Sequence, residues 1–345
     1  MLKEKRRKHK SCEDSNKAMK KRLWDKIRDK RGVALIVVIL MVSIIAAVSV
    51  ELNRATRDDL YETANLSDRI RLYYVAKSGF YVGQALLVQD VNGYDALTED
   101  WAKTELVSPQ SEGYFRQGSF LLKIVDETGK IPINKLVAGN AYNPNLPVKD
   151  LLFRLLSLPE FKLDPGKVNE ILASLKDWMD SDNEVTDGLG AENSYYQGLS
   201  RPVSVKNGIL DCIDELLMVK GISEELYYGT KEIPALKDCL TIHGDGPINI
   251  NTAPPAVLRA LATGITEEMA GRMEEYRRTA GNPLADVNWY KNVQGMGSMN
   301  LSNVVITSKY YTIISMGMFG RMKETITGTI ERGPGTAKLL SWNIE

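Results

Sequence analysis

The chain has 345 residues, 43% hydrophobic and 26% charged, which is enough for two or more folding units and excludes a wholly disordered polymer. Its 44 basic and 44 acidic residues cancel, yet residues 1–31 carry 14 Lys/Arg against 5 Asp/Glu and the remainder carries 30 against 39. Three Cys and two His exclude a metal-dense cysteine scaffold and leave almost no material for histidine-based catalysis. A basic head on an acidic body reads as a sorting signal.

Val33 to Val50 is a run of eighteen residues without a charge. As a helix it covers roughly 27 Å, the thickness of a hydrocarbon core. Lys20 through Arg31 precede it; positive charge stays on the cytoplasmic side, so the body is expected across the membrane. A secretory signal peptide is the alternative, but the head is long and the small-residue cleavage option at Ala47 and Ser49 is weak. Helical spacing continues through Leu52, Ala55, Leu60, Ala64, Leu66, Ile70, Tyr73, Tyr74 and Leu86, with no Pro or Gly before Gly79. One helix of roughly fifty residues is predicted, apolar all round at first and amphipathic later.

The run Lys30-Arg31-Gly32-Val33-Ala34-Leu35 resembles the leader junction of type IV pilin-like proteins. The resemblance implies that residues 1–32 are a basic leader, cut by prepilin peptidase between Gly32 and Val33 with methylation of the new amine. Residues 33–92 would then stay as transmembrane and amphipathic stem. Most members carry Glu as the fifth residue after the cut, where it meets the N-terminal amine of the preceding subunit; here that position is Val37. Its absence is typical of the protein K family of the type II (general) secretion system, large minor pseudopilins at the filament tip. A generic single-pass anchor is the competing reading.

Beyond the stem, residues 93–147 hold a polar connection, then strand-forming residues from Gly118 to Asp126, a turn at Glu127-Thr128-Gly129-Lys130, and a short strand starting at Ile131. Residues 148–300 turn helical, with Leu151, Leu152, Leu155 and Leu156, then Val168, Ile171, Leu172, Leu175 and Trp178, then Ile213, Leu216, Leu217 and Val219 at helical spacing. Residues 301–345 return to strand chemistry, in Val304–Thr307, Tyr310–Met316 and Glu324–Ile330. Two β segments bracketing a helical stretch predict an α+β fold with an α insertion inside a small antiparallel sheet. Pilin-like heads pack a long helix on such a sheet, and a large insertion is what the protein K family adds.

Asp177 to Glu192 contains six carboxylates and no basic residue in sixteen positions. Such crowding is unfavourable unless a cation neutralises it. Hard oxygen donors suit calcium, and the absence of N or S ligands argues against zinc. Alternation at 180, 182 and 184 is expected to turn the carboxylates inward. The candidates are Asp180, Asp182, Glu184, Asp187 and Glu192, with Asp177 on the preceding helix as a capping or supporting group. An EF-hand fits poorly, because Val185 and Ala191 stand where Gly and Glu would be required. The stretch resembles the protein K loop, including Gly190-Ala191-Glu192 and Tyr195-Tyr196, which implies one or two structural Ca²⁺ ions. A merely solvated acidic loop is the alternative.

Ile248–Pro255 followed by Val257–Ile265 resembles the helix–hairpin–helix modules of DNA-binding proteins, and Val219–Ser223 and Val293–Gly297 suggest repeats of the unit. Asn251 or Thr252 is expected to cap a helix with Pro254 or Pro255 in its first turn. Residues 248–300 carry five basic and five acidic side chains, whereas duplex binding requires a clear basic excess. A SAM-like packing and docking module is therefore expected, with no nucleic-acid partner. A membrane-anchored DNA-binding or uptake protein is the alternative. Cys12 falls in the leader; Cys212 and Cys239, on the oxidising side, suggest a disulfide, with two buried thiols as the alternative. No nucleophile, Walker or metalloprotease motif is present, so no enzyme is expected.

The resemblance as a whole implies a structural minor pseudopilin at the tip of a pseudopilus, which initiates assembly and supports protein export across the outer membrane. Its partners would be the I- and J-type minor pseudopilins, the inner-membrane secretion platform and the lipid bilayer. It would sit in the inner membrane of a Gram-negative bacterium, single-pass, with its body in the periplasm.

Overall fold

The computed structural model describes residues 15–25, 30–104, 108–115 and 117–345. Most of residues 1–32, expected above to be a leader, lies outside them, His9 and Cys12 included. Helix α1 runs Lys30–Gln89, longer than the fifty residues expected, and crosses two compact units, residues 1–68 and Arg69–Glu345. In the first unit Val33 to Val50 are exposed on every side. Among the described residues this is the one helix long and apolar enough to cross a membrane. A helix satisfies its own backbone groups there, and Ser43 turns its hydroxyl back onto the Ile39 carbonyl at 2.8 Å.

In the second unit the chain continues through β1 (Ser119–Asp126), β2 (Ile131–Pro132), β3 (Val137–Ala138) and β4 (Ala141–Tyr142), then α2 (Val148–Leu156), α3 (Pro165–Met179), α4 (Asn193–Tyr196), α5 (Glu224–Tyr228) and α6 (Leu236–Cys239). It goes on through β5 (Leu240–Thr241), β6 (Ile248–Asn249), α7 (Pro255–Ala260) and α8 (Glu267–Arg278) to β7 (Val304–Val305), β8 (Tyr310–Phe319), β9 (Met322–Gly333) and β10 (Thr336–Ile344). The main sheet has the order β1-β8-β9-β10 and is antiparallel throughout. Strands β1 and β8 are neighbours although residues 127–309 separate them, so the helical stretch is an insertion between paired strands, as expected. Fold class and insertion both agree with the α+β expectation.

Two hydrophobic cores result. In the first, Val75, Ala76, Phe80 and Leu87 on one face of α1 bury against Phe120, Leu122 and Ile124 of β1 and Tyr311 and Ile313 of β8. Glycines set the closeness of that contact. A Cβ on Gly79 would lie 2.3 Å from Ser315 Oγ, and one on Gly317 would lie 2.7 Å from the Leu72 carbonyl oxygen. The second core belongs to the insertion, built on the leucines of α2, the buried face of α3, and Trp289 and Tyr290. Helix α3 starts where Asp164 accepts from the Gly166 and Lys167 N–H groups at 2.9 and 3.0 Å, with Pro165 at the first helical position.

Between the cores runs a buried polar seam. Asp126 Oδ2 accepts from Ser308 Oγ and Thr252 Oγ1, both at 2.5 Å, and from Asn249 Nδ2 at 3.3 Å, while its Oδ1 accepts from the Thr128 N–H at 2.8 Å. Beside it Asp95 accepts from Arg332 at 2.5 Å and from the Tyr311 hydroxyl at 2.7 Å. Burial pushes Asp126 up to about 6 against the hydrogen bonds from Ser308, Thr252 and Thr128.

This seam corrects one expectation. Asn251 and Thr252 do not cap α7, which begins at Pro255 after Pro254 without a side-chain cap. Asn251 instead bonds the Leu284 carbonyl and the Trp289 indole at 3.2 and 2.6 Å, and Thr252 is held by Asp126. Polar side chains buried at a seam must be satisfied across it, and that requirement outweighs the local capping preference. The disulfide is also absent. Cys212 and Cys239 are both free, because Cys239 ends α6 facing the core while Cys212 is exposed.

Candidate metal centre

The acidic loop leaves α3 at its C-terminus and returns at α4. Asp180 caps α3 in extended backbone, so its carboxylate turns into the loop instead of continuing along the helix. Asp180, Asp182 and Glu192 each offer a carboxylate oxygen, all within 4.8 Å of one another. Asp180 and Glu192 are buried, 1% and 3% exposed. Asp180 Oδ1 and both Glu192 oxygens are buried with no hydrogen-bond partner. Burial, then the charges of Asp177, Asp180 and Asp182, push Glu192 up to about 7; burial likewise raises Asp180 against the opposing pull of Lys176.

The remaining candidates take other roles. Asp177 is fully buried and accepts from the Thr186 N–H at 3.1 and 3.2 Å, bracing the loop from α3. Asp182 Oδ1 accepts from the Glu184 N–H at 2.9 Å. That turn breaks the extended alternation, so the Glu184 carboxylate is exposed instead of facing inward. Asp187 is exposed too, in left-handed backbone at φ 53°. Gly190 is required for closure: a Cβ there would lie 2.0 Å from Asp177 Oδ2.

Several supporting residues were not anticipated. Asn140, in the β3–β4 turn, accepts from the Ser181 hydroxyl at 2.6 Å. Asn207 donates to the Asp182 carbonyl at 3.2 Å and keeps a buried, unpartnered Oδ1. Lys176, one turn before Asp180, holds Asp180 Oδ2 at 2.5 Å and Thr186 Oγ1 at 2.9 Å. Lys220 donates to the Leu189 and Gly190 carbonyls at 3.0 and 3.3 Å. The amides among them lie far from the loop in sequence, and Lys176 reads from spacing alone as an ordinary helix-surface ion pair. A set of converging carboxylates with unpartnered buried oxygens and no N or S donor fits a hard divalent cation such as Ca²⁺.

The hairpins also take definite form. Gly221 and Gly264 adopt φ of 93° and 92°. Each is followed by a capping hydroxyl: Ser223 accepts from the Leu226 N–H and Thr266 from the Met269 N–H, both at 3.2 Å. The true repeat is therefore Gly-Ile-Ser-Glu-Glu at 221–225 and Gly-Ile-Thr-Glu-Glu at 264–268, offset from the units read above. Gly295 has φ 90° but no α-helix follows it. Glu pairs in the first turns of α5 and α8 suit the helix dipole and repel a phosphate at the place where a DNA-binding hairpin would receive one.

Two family models match, over residues 129–231 and 248–307, both described as type II secretion system protein K. They take in the acidic loop and the second hairpin repeat. The chain is thus similar to protein K of type II secretion systems. Similar curated proteins include the type II secretion system protein K of Pseudomonas aeruginosa, 27% identical over 89% of this chain and 90% of that one. The protein K of Aeromonas hydrophila is 27% identical over 66% of this chain and 69% of that one. Among solved structures, the fold resembles a chain in the crystal structure of the GspK-GspI-GspJ complex from enterotoxigenic Escherichia coli. The TM-score is 0.61 at 19% identity, covering 82% of this chain and 99% of that chain. The relatives are named as components of a secretion system, and this chain carries an apolar helix long enough to cross a membrane.

Proposed function

We propose that this chain is the minor pseudopilin at the tip of a type II secretion pseudopilus, where it starts filament assembly. Its partners are then the I- and J-type minor pseudopilins, docking along α1 and the sheet. Prepilin peptidase, the inner-membrane platform and the bilayer would meet it earlier, and its body would lie in the periplasm. The observation that carries the tip reading is Val37, an apolar residue at the position where pilin-like stems hold Glu, inside eighteen residues without a charge. A carboxylate there costs about 3 kcal/mol or more in lipid unless a neighbouring amine offsets it. A subunit with nothing ahead of its stem has no such amine to meet, so Val is the residue expected.

For the ion, Asp180, Asp182 and Glu192 would hold Ca²⁺, with Asp177 bracing the loop. The ion would neutralise carboxylates that burial otherwise disfavours and would order a loop that has little core of its own. The test of the tip reading is Val37→Glu in an assay of pseudopilus initiation. The substitution should be neutral or harmful. Improved assembly would place the subunit within the shaft and end the tip assignment.

A further inference from the structure

We infer that Lys176 is a built-in counter-ion of the acidic centre that competes with calcium and so sets its affinity. The inference rests on the calcium reading of that centre. Its own ground is the placement of one ammonium. Lys176 Nζ lies 2.5 Å from Asp180 Oδ2 and 2.9 Å from Thr186 Oγ1, on a side chain 11% exposed beside a carboxylate that is fully buried. No basic residue occurs from 177 to 192, so this cation reaches the cluster from the helix before the loop.

One ammonium neutralises only one edge of the cluster. Asp180 Oδ1 and both oxygens of Glu192 stay buried and unpartnered, pointing to a second positive charge that Lys176 does not supply. A divalent ion taking Asp180, Asp182 and Glu192 would stand a few ångströms from Nζ, and two positive charges at that range repel strongly in a partly buried site. Binding must therefore break the Lys176–Asp180 pair. The side chain, still touching solvent, can swing outward along the helix surface. The apo loop is thus held in shape by Lys176 at the expense of calcium affinity, which rises with the number of uncompensated carboxylates.

The test uses the full-length chain in detergent, stripped with chelator and titrated with CaCl2 by calorimetry, with thermal melts beside it. Lys176→Met should bind calcium at least about tenfold more tightly than the parent while melting lower without calcium. Lys176→Gln, which keeps a hydrogen bond but no charge, should tighten binding in the same way and covers the case in which the Met variant does not fold without the ion. Lys176→Arg, keeping the charge, should stay at or below the parent affinity. Equal or weaker binding by both neutral variants overturns the inference, with calcium binding by the parent left standing. Silence of the parent and of every Lys176 variant, matched by Glu192→Gln, sinks the calcium reading itself.

Discussion

Asp126 offers the most quantitative test of the seam that joins the pilin-like sheet to the insertion. Its carboxyl rises from 3.8 to about 6 in the folded chain, chiefly because it is wholly buried. Asp95, whose charge adds to the rise, and Tyr311 and Arg332 face the same space. The folded-state value is raised for an acid, so the folded state keeps its proton while the unfolded chain has already lost it. Well below pH 3.8 both states are protonated and the group costs nothing. Between the unfolded and folded values stability falls, and above about 6 the whole penalty is present. Two units at 1.36 kcal/mol each give about 3 kcal/mol. Replacing Asp126 by Asn removes the titration. Urea unfolding of the full chain and the variant, from about pH 4 to about pH 7.5, isolates it, since carboxylates common to both cancel in the difference. The variant should gain roughly 2 kcal/mol on the parent across that range, because part of the penalty is already present at about pH 4, whatever constant offset its altered hydrogen bonds impose. A difference that stays flat with pH would mean Asp126 ionises normally, and the seam would be far wetter than its burial implies.

Gly79→Ala places a methyl 2.3 Å from Ser315 Oγ and against the Phe120 ring; it should destabilise by about 1–3 kcal/mol in urea unfolding, and no loss would refute the close helix–sheet contact. Gly190→Ala, facing Asp177 Oδ2 at 2.0 Å, should lose most of any calcium-induced rise in melting temperature, whereas an unchanged rise would show that loop closure does not depend on that glycine. N-terminal sequencing of the mature chain should begin at Val33; a start at residue 1 or near Val50 would rule out leader cleavage after Gly32.

Much of the fold was legible because its signals are periodic. Absence of Pro and Gly up to Gly79 marked α1, and runs of strand-forming residues marked β1 and β8, in which alternate residues are buried. Strand β10 was not singled out. Lys338, Ser341 and Asn343 make it polar, it forms an edge of the sheet, and a bulge between Leu339 and Ser341 interrupts its pattern. Carboxylate density located the acidic loop, but counting could not tell which carboxylates converge. That choice depends on the Asp182 turn, which sends Glu184 outward, and on the burial of Glu192. Asn140 and Asn207 are ordinary turn residues in sequence and acquire a role only through contacts across the fold. Asn251 and Thr252 were misplaced for the same reason, since their partners, Leu284, Trp289 and Asp126, are remote in the chain.

The central claim is membership of a minor pseudopilin complex, and co-purification tests it most directly. The full chain would be tagged at its C-terminus, co-produced with the I- and J-type pseudopilins of the same secretion system, and extracted from membranes in detergent. The account predicts a complex containing all three chains that survives high salt, with no retention of duplex DNA. Isolation of the chain without either pseudopilin, together with salt-sensitive duplex binding, would contradict it.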